Sequence, residues 1–294
     1  MKQMDLFEGL DQEDAKSLLS ILLDQSRLYY HSRDYKEFLD FVTRLPNFAP
    51  FNAFLLHLQK PGLRFAASQH DWFCRFGREV KEGARPLLIL WPFGPIALVY
   101  DMEDTDGEPL PRDVEKAFRA TGEMVRSRIT AFRPLLHRKG IELKFVEYGD
   151  GHAGHVRYEQ EVEGLEVGER SVNSKTRPVY RVRINSKHDP NVQFVTLAHE
   201  LAHLYLGHLG PDAFLHIPNR SAVQHGQSEL EAESVAYLVS SRSGVVSESE
   251  KYLSNYVHDN RTVEALDLYL VLKAAGQIET VLQLGEKVSF GVEH

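Results

Sequence analysis

Along this chain the apolar positions fall first at helical spacing, then alternate, then return to helical spacing. Between residues 11 and 30, Leu18, Leu19, Leu22, Leu23 and Leu28 follow an acidic first turn, a pattern that predicts a helix. The same spacing predicts helices over 34–45, stopping before Pro46, over 50–58 and over 68–76. The uncharged run 86–100 is interrupted by Pro92-Phe93-Gly94-Pro95 and reads as two buried strands, 87–91 and 96–100, around a tight turn. Residues 103–109 read as an acidic loop. Pro111 then sits in the first turn of a long helix reaching Arg133.

The pattern changes near residue 140. Residues 141–148 read as a strand and Gly149-Asp150-Gly151 as a turn. The acidic stretch 159–169, without Lys or Arg, reads as a solvated loop or edge hairpin, and 179–185 alternates as a strand does. Helical spacing returns over 191–209, 228–241, 247–257 and 262–284. These elements predict an α+β protein of two domains, the first (1–140) helical with a small antiparallel sheet, the second covering 141–290.

Composition narrows the class. A chain 43% hydrophobic and 26% charged is globular, and a single cysteine, Cys74, excludes an internal disulfide framework. The net charge of −8 belongs wholly to residues 141–294, because 1–140 balance, so a chain-wide basic field is excluded and a local patch is not. The 86–100 run is too short and too broken to span a bilayer, and Met1-Lys2-Gln3-Met4-Asp5 leads into an acidic amphipathic stretch. A cytoplasmic protein with no membrane partner is therefore expected.

Among the 14 histidines, two stand at a telling distance in Thr196-Leu197-Ala198-His199-Glu200-Leu201-Ala202-His203. On a helix, four residues advance about 6 Å and turn about 40° past one revolution, so both imidazoles leave one face and can share an ion. Glu200 lies beside them, where it can take a proton from a water that the metal activates. A third ligand is available on the next predicted helix: Glu229 and Glu233 share a face, whereas Glu231 points elsewhere. The natural division makes Glu229 the ligand and Glu233 the acceptor for the free N–H of a liganding His. A third His ten residues after the first would stand at Leu209, so the neighbouring His208 does not fit that scheme. Two His and a carboxylate suit Zn2+, with Mn2+ or Co2+ also compatible.

The segment from Tyr180 to Val239 resembles the zinc-peptidase module of the ImmA/IrrE type. A strand there precedes Thr-Leu-Ala-His-Glu-x-x-His, and a later helix carries Glu229-Leu230-Glu231-Ala232. The resemblance implies a zincin-like, gluzincin-type α+β domain with His199, His203 and Glu229 as ligands and Glu200 as general base.

In the first half, residues 60–85 carry a local charge of +3, with Lys60, Arg64, Arg75, Arg78, Lys81 and Arg85 interleaved with Phe65, Trp72, Phe73 and Phe76. Cations can meet phosphates while aromatic faces stack on unpaired bases. Asn52-Ala53-Phe54-Leu55-Leu56, Ser68, Trp72, Gly77 and Val80-Lys81-Glu82-Gly83, followed by an apolar strand, resemble the N-terminal domain of ArdC antirestriction proteins. That resemblance implies a single-stranded DNA partner and a role in protecting incoming plasmid DNA from restriction. Taken with the basic and aromatic pattern, the candidate contacts are Asn52, Arg64, Trp72, Arg75, Arg78, Lys81 and Arg85. The competing expectations are an ImmA/IrrE-like regulator that cleaves a repressor protein, and a DNA-binding protein with a structural metal.

Overall fold

The computed structural model describes residues 32–91, 94–110, 124–147, 153–159, 179–245 and 266–284. The helices expected at 11–30 and 247–257, the turn at 149–151, the acidic stretch beyond Glu159 and residues 111–123 lie outside these. The described residues form two compact units, 32–110 and 124–284.

In the first unit, α1 (Ser32–Arg44) and α2 (Pro50–Gln59) pair through aromatic side chains. Phe38 meets Phe54 edge-on at 5.4 Å, and Phe41 and Val42 are buried beside it. α3 (Gln69–Phe76) starts on Ser68, whose hydroxyl accepts from the Asp71 N–H. It ends at Gly77, in the left-handed conformation. β1 (Ala66–Ala67), β3 (Leu87–Trp91) and β4 (Gly94–Asp101) form an antiparallel sheet of order β1-β4-β3. β2 (Arg78–Val80) pairs with β5 (Thr105–Gly107).

β5 corrects the expected acidic loop at 103–109: a 3-10 turn over Met102–Asp104 leads into a strand. Arg78 is the reason. Its guanidinium donates to the Thr105 hydroxyl and to the carbonyls of Thr105, Gly107 and Glu108, tying a charged segment to β2.

In the second unit, β6 (Ile141–Val146), β7 (Gly154–Glu159) and β8 (Val179–Asn185) form a mixed sheet of order β6-β8-β7, with β6 parallel and β7 antiparallel to β8. α4 (Arg126–His137) packs on β6, and α5 (Pro190–Tyr205) lies on β7 and β8. α6 (His225–Arg242) and α7 (Leu268–Val281) cover α5. Leu197 and Leu201 of α5 are wholly buried, each contributing about 1.5–3 kcal/mol relative to exposure. Arg242, buried, and Glu279, partly buried, close the α6–α7 contact with an ion pair at 2.6 Å.

The described elements are those of an α+β protein, with three departures from expectation in this unit. α4 begins at Arg126, after an extended Val125, where one helix from Pro111 is expected. It runs through Pro134 to His137 instead of stopping at Arg133, because Ile129, Phe132 and Leu136 keep one buried face on either side of the proline. β7 was not anticipated, since Gly154-His155-Val156-Arg157-Tyr158-Glu159 offers a single buried side chain, Val156. α5 ends at Tyr205, short of residue 209, because Gly207 turns the chain at φ +82°.

Candidate metal centre

α5 begins at Pro190, which needs no N–H partner in a first turn, and its apolar residues press it against the sheet and α6. His199 and His203 leave the rim of that buried face one turn apart. Their Nε2 atoms face each other at 3.0 Å. α6 runs past them and brings Glu229 to the same point, with carboxylate oxygens 3.5 Å from His199 Nε2 and 3.4 Å from His203 Nε2.

One ligand atom from each of the three lies within 4.8 Å of the other two. A tetrahedral ion with metal–nitrogen bonds of 2.0–2.1 Å holds its ligand atoms about 3.3 Å apart, so this donor set fits a small divalent ion. Glu233, one turn on, puts Oε1 3.4 Å from Nδ1 of His199, behind the ring. The four residues singled out from spacing are thus brought together.

Glu200 lies on the sheet side of the helix, where its carboxylate accepts the backbone N–H of Val156 on β7. Burial pushes it up to about 7, against the opposing pull of His199 and the Val156 N–H. Burial, then the neighbouring charge of His199, brings His203 down to about 4. His199 goes the other way. Burial pulls it down, but Glu229, Glu233 and Glu200 outweigh it and raise it, while His199 in turn lowers Glu229.

Residues 137–239 match the family model for the IrrE N-terminal-like domain, Peptidase_M78.

The match spans about a third of the chain and contains α5, most of α6 and the five residues just described, His199, Glu200, His203, Glu229 and Glu233. The match supports an ImmA/IrrE-like, metallopeptidase-type domain over these residues, a kind of domain that implies a divalent metal. No curated protein and no solved structure matches the chain. No described helix is long and apolar enough to cross a membrane.

Three further residues were not reached from the sequence. His208, set aside as a ligand, has Nδ1 2.9 Å from Nδ1 of His203. Its Nε2 lies 3.1 Å from Glu231, which is wholly buried and receives two bonds from Arg220, at 2.6 and 2.7 Å, and one from Gln227. Burial alone would raise Glu231, yet His208, Arg220 and Gln227 together hold it down at about 2. The signal was present in Glu-x-Glu: the middle carboxylate of 229–233 faces away from the ligands and into this network.

In the first unit the expected nucleic-acid contacts are mostly internal. Trp72 is wholly enclosed, packed on Ala67 and Tyr100 with Nε1 donating to the Tyr100 carbonyl, so its ring presents no face to a base. Asn52 pairs with both the N–H and the C=O of Leu90, at 3.0 Å each. Arg78 braces β5, and Lys81 donates to the Glu103 carbonyl. Arg75 lies 3.9 Å from Asp71 and over the Phe76 ring. Arg64 and Arg85 are exposed, and Phe73 is the exposed aromatic of this segment at 63%.

Proposed function

We propose that this chain is a metal-dependent peptidase that hydrolyses a peptide bond of a protein substrate at the His199–His203–Glu229 cluster. The observation that carries this reading is the placing of Glu200 between that cluster and the backbone of β7. Asn185 N–H donates to the Ala153 carbonyl, so the bonded positions of β7 are the odd-numbered ones. Gly154, Val156 and Tyr158 turn their backbone groups away from β8. An extended peptide laid along that side would meet main-chain partners and bring a carbonyl beside Glu200.

A bound divalent ion supplies Lewis acidity toward that carbonyl and makes water a better nucleophile at neutral pH. His199, His203 and Glu229 would hold it, and Glu233 would fix the His199 ring from behind. Glu200, at a value near neutrality, suits both removal of the proton from the attacking water and its delivery to the amine leaving group. Incubating the full chain and zinc with a protein substrate mixture, and reading new N-termini by mass spectrometry, tests the reading. Cleavage that chelation stops and Glu200→Gln lacks is expected. New N-termini equally abundant with Glu200→Gln contradict it.

A second, finer reading follows the ArdC resemblance: antirestriction, with the first unit binding single-stranded DNA. What supports it is the exposure of Phe73, Arg64 and Arg85 in a segment of net positive charge. Retardation of labelled single-stranded DNA by the full chain at low salt, lost on raising the salt, is the expected result. No retardation at low salt contradicts it and favours the repressor-cleaving alternative.

A further inference from the structure

We propose that His208 is the positioning residue that sets the tautomer and ring orientation of His203, and that Glu231 and Arg220 hold His208 in that role. The proposal rests on the reading of His203 as a ligand through Nε2.

Counting protons along the line of contacts leads to it. Nε2 of His203 faces His199 and Glu229. As a ligand it offers a lone pair, so the proton of the neutral ring sits on Nδ1. That atom is 2.9 Å from Nδ1 of His208. Two protons cannot share a gap of this length, so His208 presents a lone pair at Nδ1 and carries its own proton on Nε2. The Nε2–H then donates to Glu231 Oε2, 3.1 Å away.

Glu231 can only accept there, because it also takes two charge-assisted bonds from Arg220. A permanent cation at one end thereby fixes the direction of every hydrogen bond up to His203. Water offers little competition along the line. The side chain of His208 is 7% exposed and that of Glu231 not at all.

The backbone builds the same arrangement. His208 N–H donates to the His203 carbonyl, and Arg220 N–H to the Gly207 carbonyl, so ring and guanidinium are both anchored to the end of α5. A Cβ on Gly207 would stand 2.1 Å from the Pro218 carbonyl oxygen, so only glycine permits the turn that returns His208 to the helix. The two ligand rings are thus backed differently. His199 meets a carboxylate, Glu233, directly, whereas His203 reaches one through a second imidazole.

Leu and Asn are close in shape, and Oδ1 of Asn can stand where Nδ1 of His208 stood. Zinc affinity of the full chain is therefore measured by chelator competition for wild type, His208→Leu and His208→Asn, with folding of each checked by circular dichroism. His208→Leu is expected to weaken zinc binding about 10- to 100-fold, and His208→Asn to recover most of the loss. Equal affinities for the two variants overturn the proposal alone. Failure of the wild type to bind zinc overturns the metal reading, and the proposal with it. Should His208→Leu not fold, long-range 1H–15N spectra of the zinc-stripped wild type decide. Nδ1–H on His203 with Nε2–H on His208 is the expected pattern, and the reverse tautomers overturn it.

Discussion

Nε2 of His199 and Nε2 of His203 stand 3.0 Å apart, a separation that two imidazoles hold comfortably when an ion or a proton lies between them. Protons compete for this place. His199 is raised by the carboxylates around it, and Glu200 is pushed up to about 7 by burial. A metal ion displaces what these groups bind, so zinc uptake at pH 7 should release protons and tighten as pH rises from 6 to 8. Calorimetry in two buffers of different ionisation enthalpy reads the release. Identical heats in both contradict it.

The proposed function puts Glu200 in the chemistry and outside the ligand set. Glu200→Gln should leave zinc affinity within a few-fold of wild type and lower kcat by about 10²–10⁴-fold. A variant that lost zinc as completely as His203→Ala would move Glu200 into the ligand set.

The Glu231 carboxylate carries a stability prediction with a definite sign. Its value in the folded protein is about 2, below the ordinary 4.5. Its contribution is therefore complete above about pH 4.5 and lost as pH falls toward 2, on the order of 3 kcal/mol in all. Urea midpoints measured from pH 6 to pH 3 should fall less steeply for Glu231→Gln than for wild type. Equal slopes would contradict the assignment. At neutral pH, Arg220→Met should destabilise the chain by about 3–5 kcal/mol, because it strands a buried charge.

In the first unit, neighbouring aromatics should separate stability from DNA binding. Trp72→Ala removes a wholly buried ring and should cost about 3–5 kcal/mol in chemical denaturation. Phe73→Ala, on the exposed side of α3, should leave stability within about 0.5 kcal/mol and weaken retention of single-stranded DNA. Unchanged retention with Phe73→Ala, Arg64→Ala and Arg85→Ala combined would remove this surface from the account.

What could be read from the sequence was local. His199, His203, Glu229 and Glu233 each declare themselves by helical spacing, because a four-residue step places side chains on one face whatever surrounds the helix. His208, Glu231 and Arg220 belong to different segments and meet only through a turn made at Gly207, so no local period marks them. β7 escaped because a strand with one buried residue has no alternation to detect, although it supplies the backbone N–H bound to Glu200. The burial of Trp72 is not legible in the sequence, because a basic segment with interleaved aromatics looks alike whether its rings face solvent or the Tyr100 carbonyl. Helix α4 outran its expected end because a buried face outweighs one proline when only a single N–H is lost.

Zinc titration of the full chain, compared with Glu229→Ala, tests the central claim most directly, because it asks whether the carboxylate from α6 completes the two-histidine site on α5. One zinc per chain is expected for the wild type, with affinity at least 100-fold weaker for Glu229→Ala and both proteins equally folded. A Glu229→Ala protein that binds one zinc as tightly as the wild type would contradict the account.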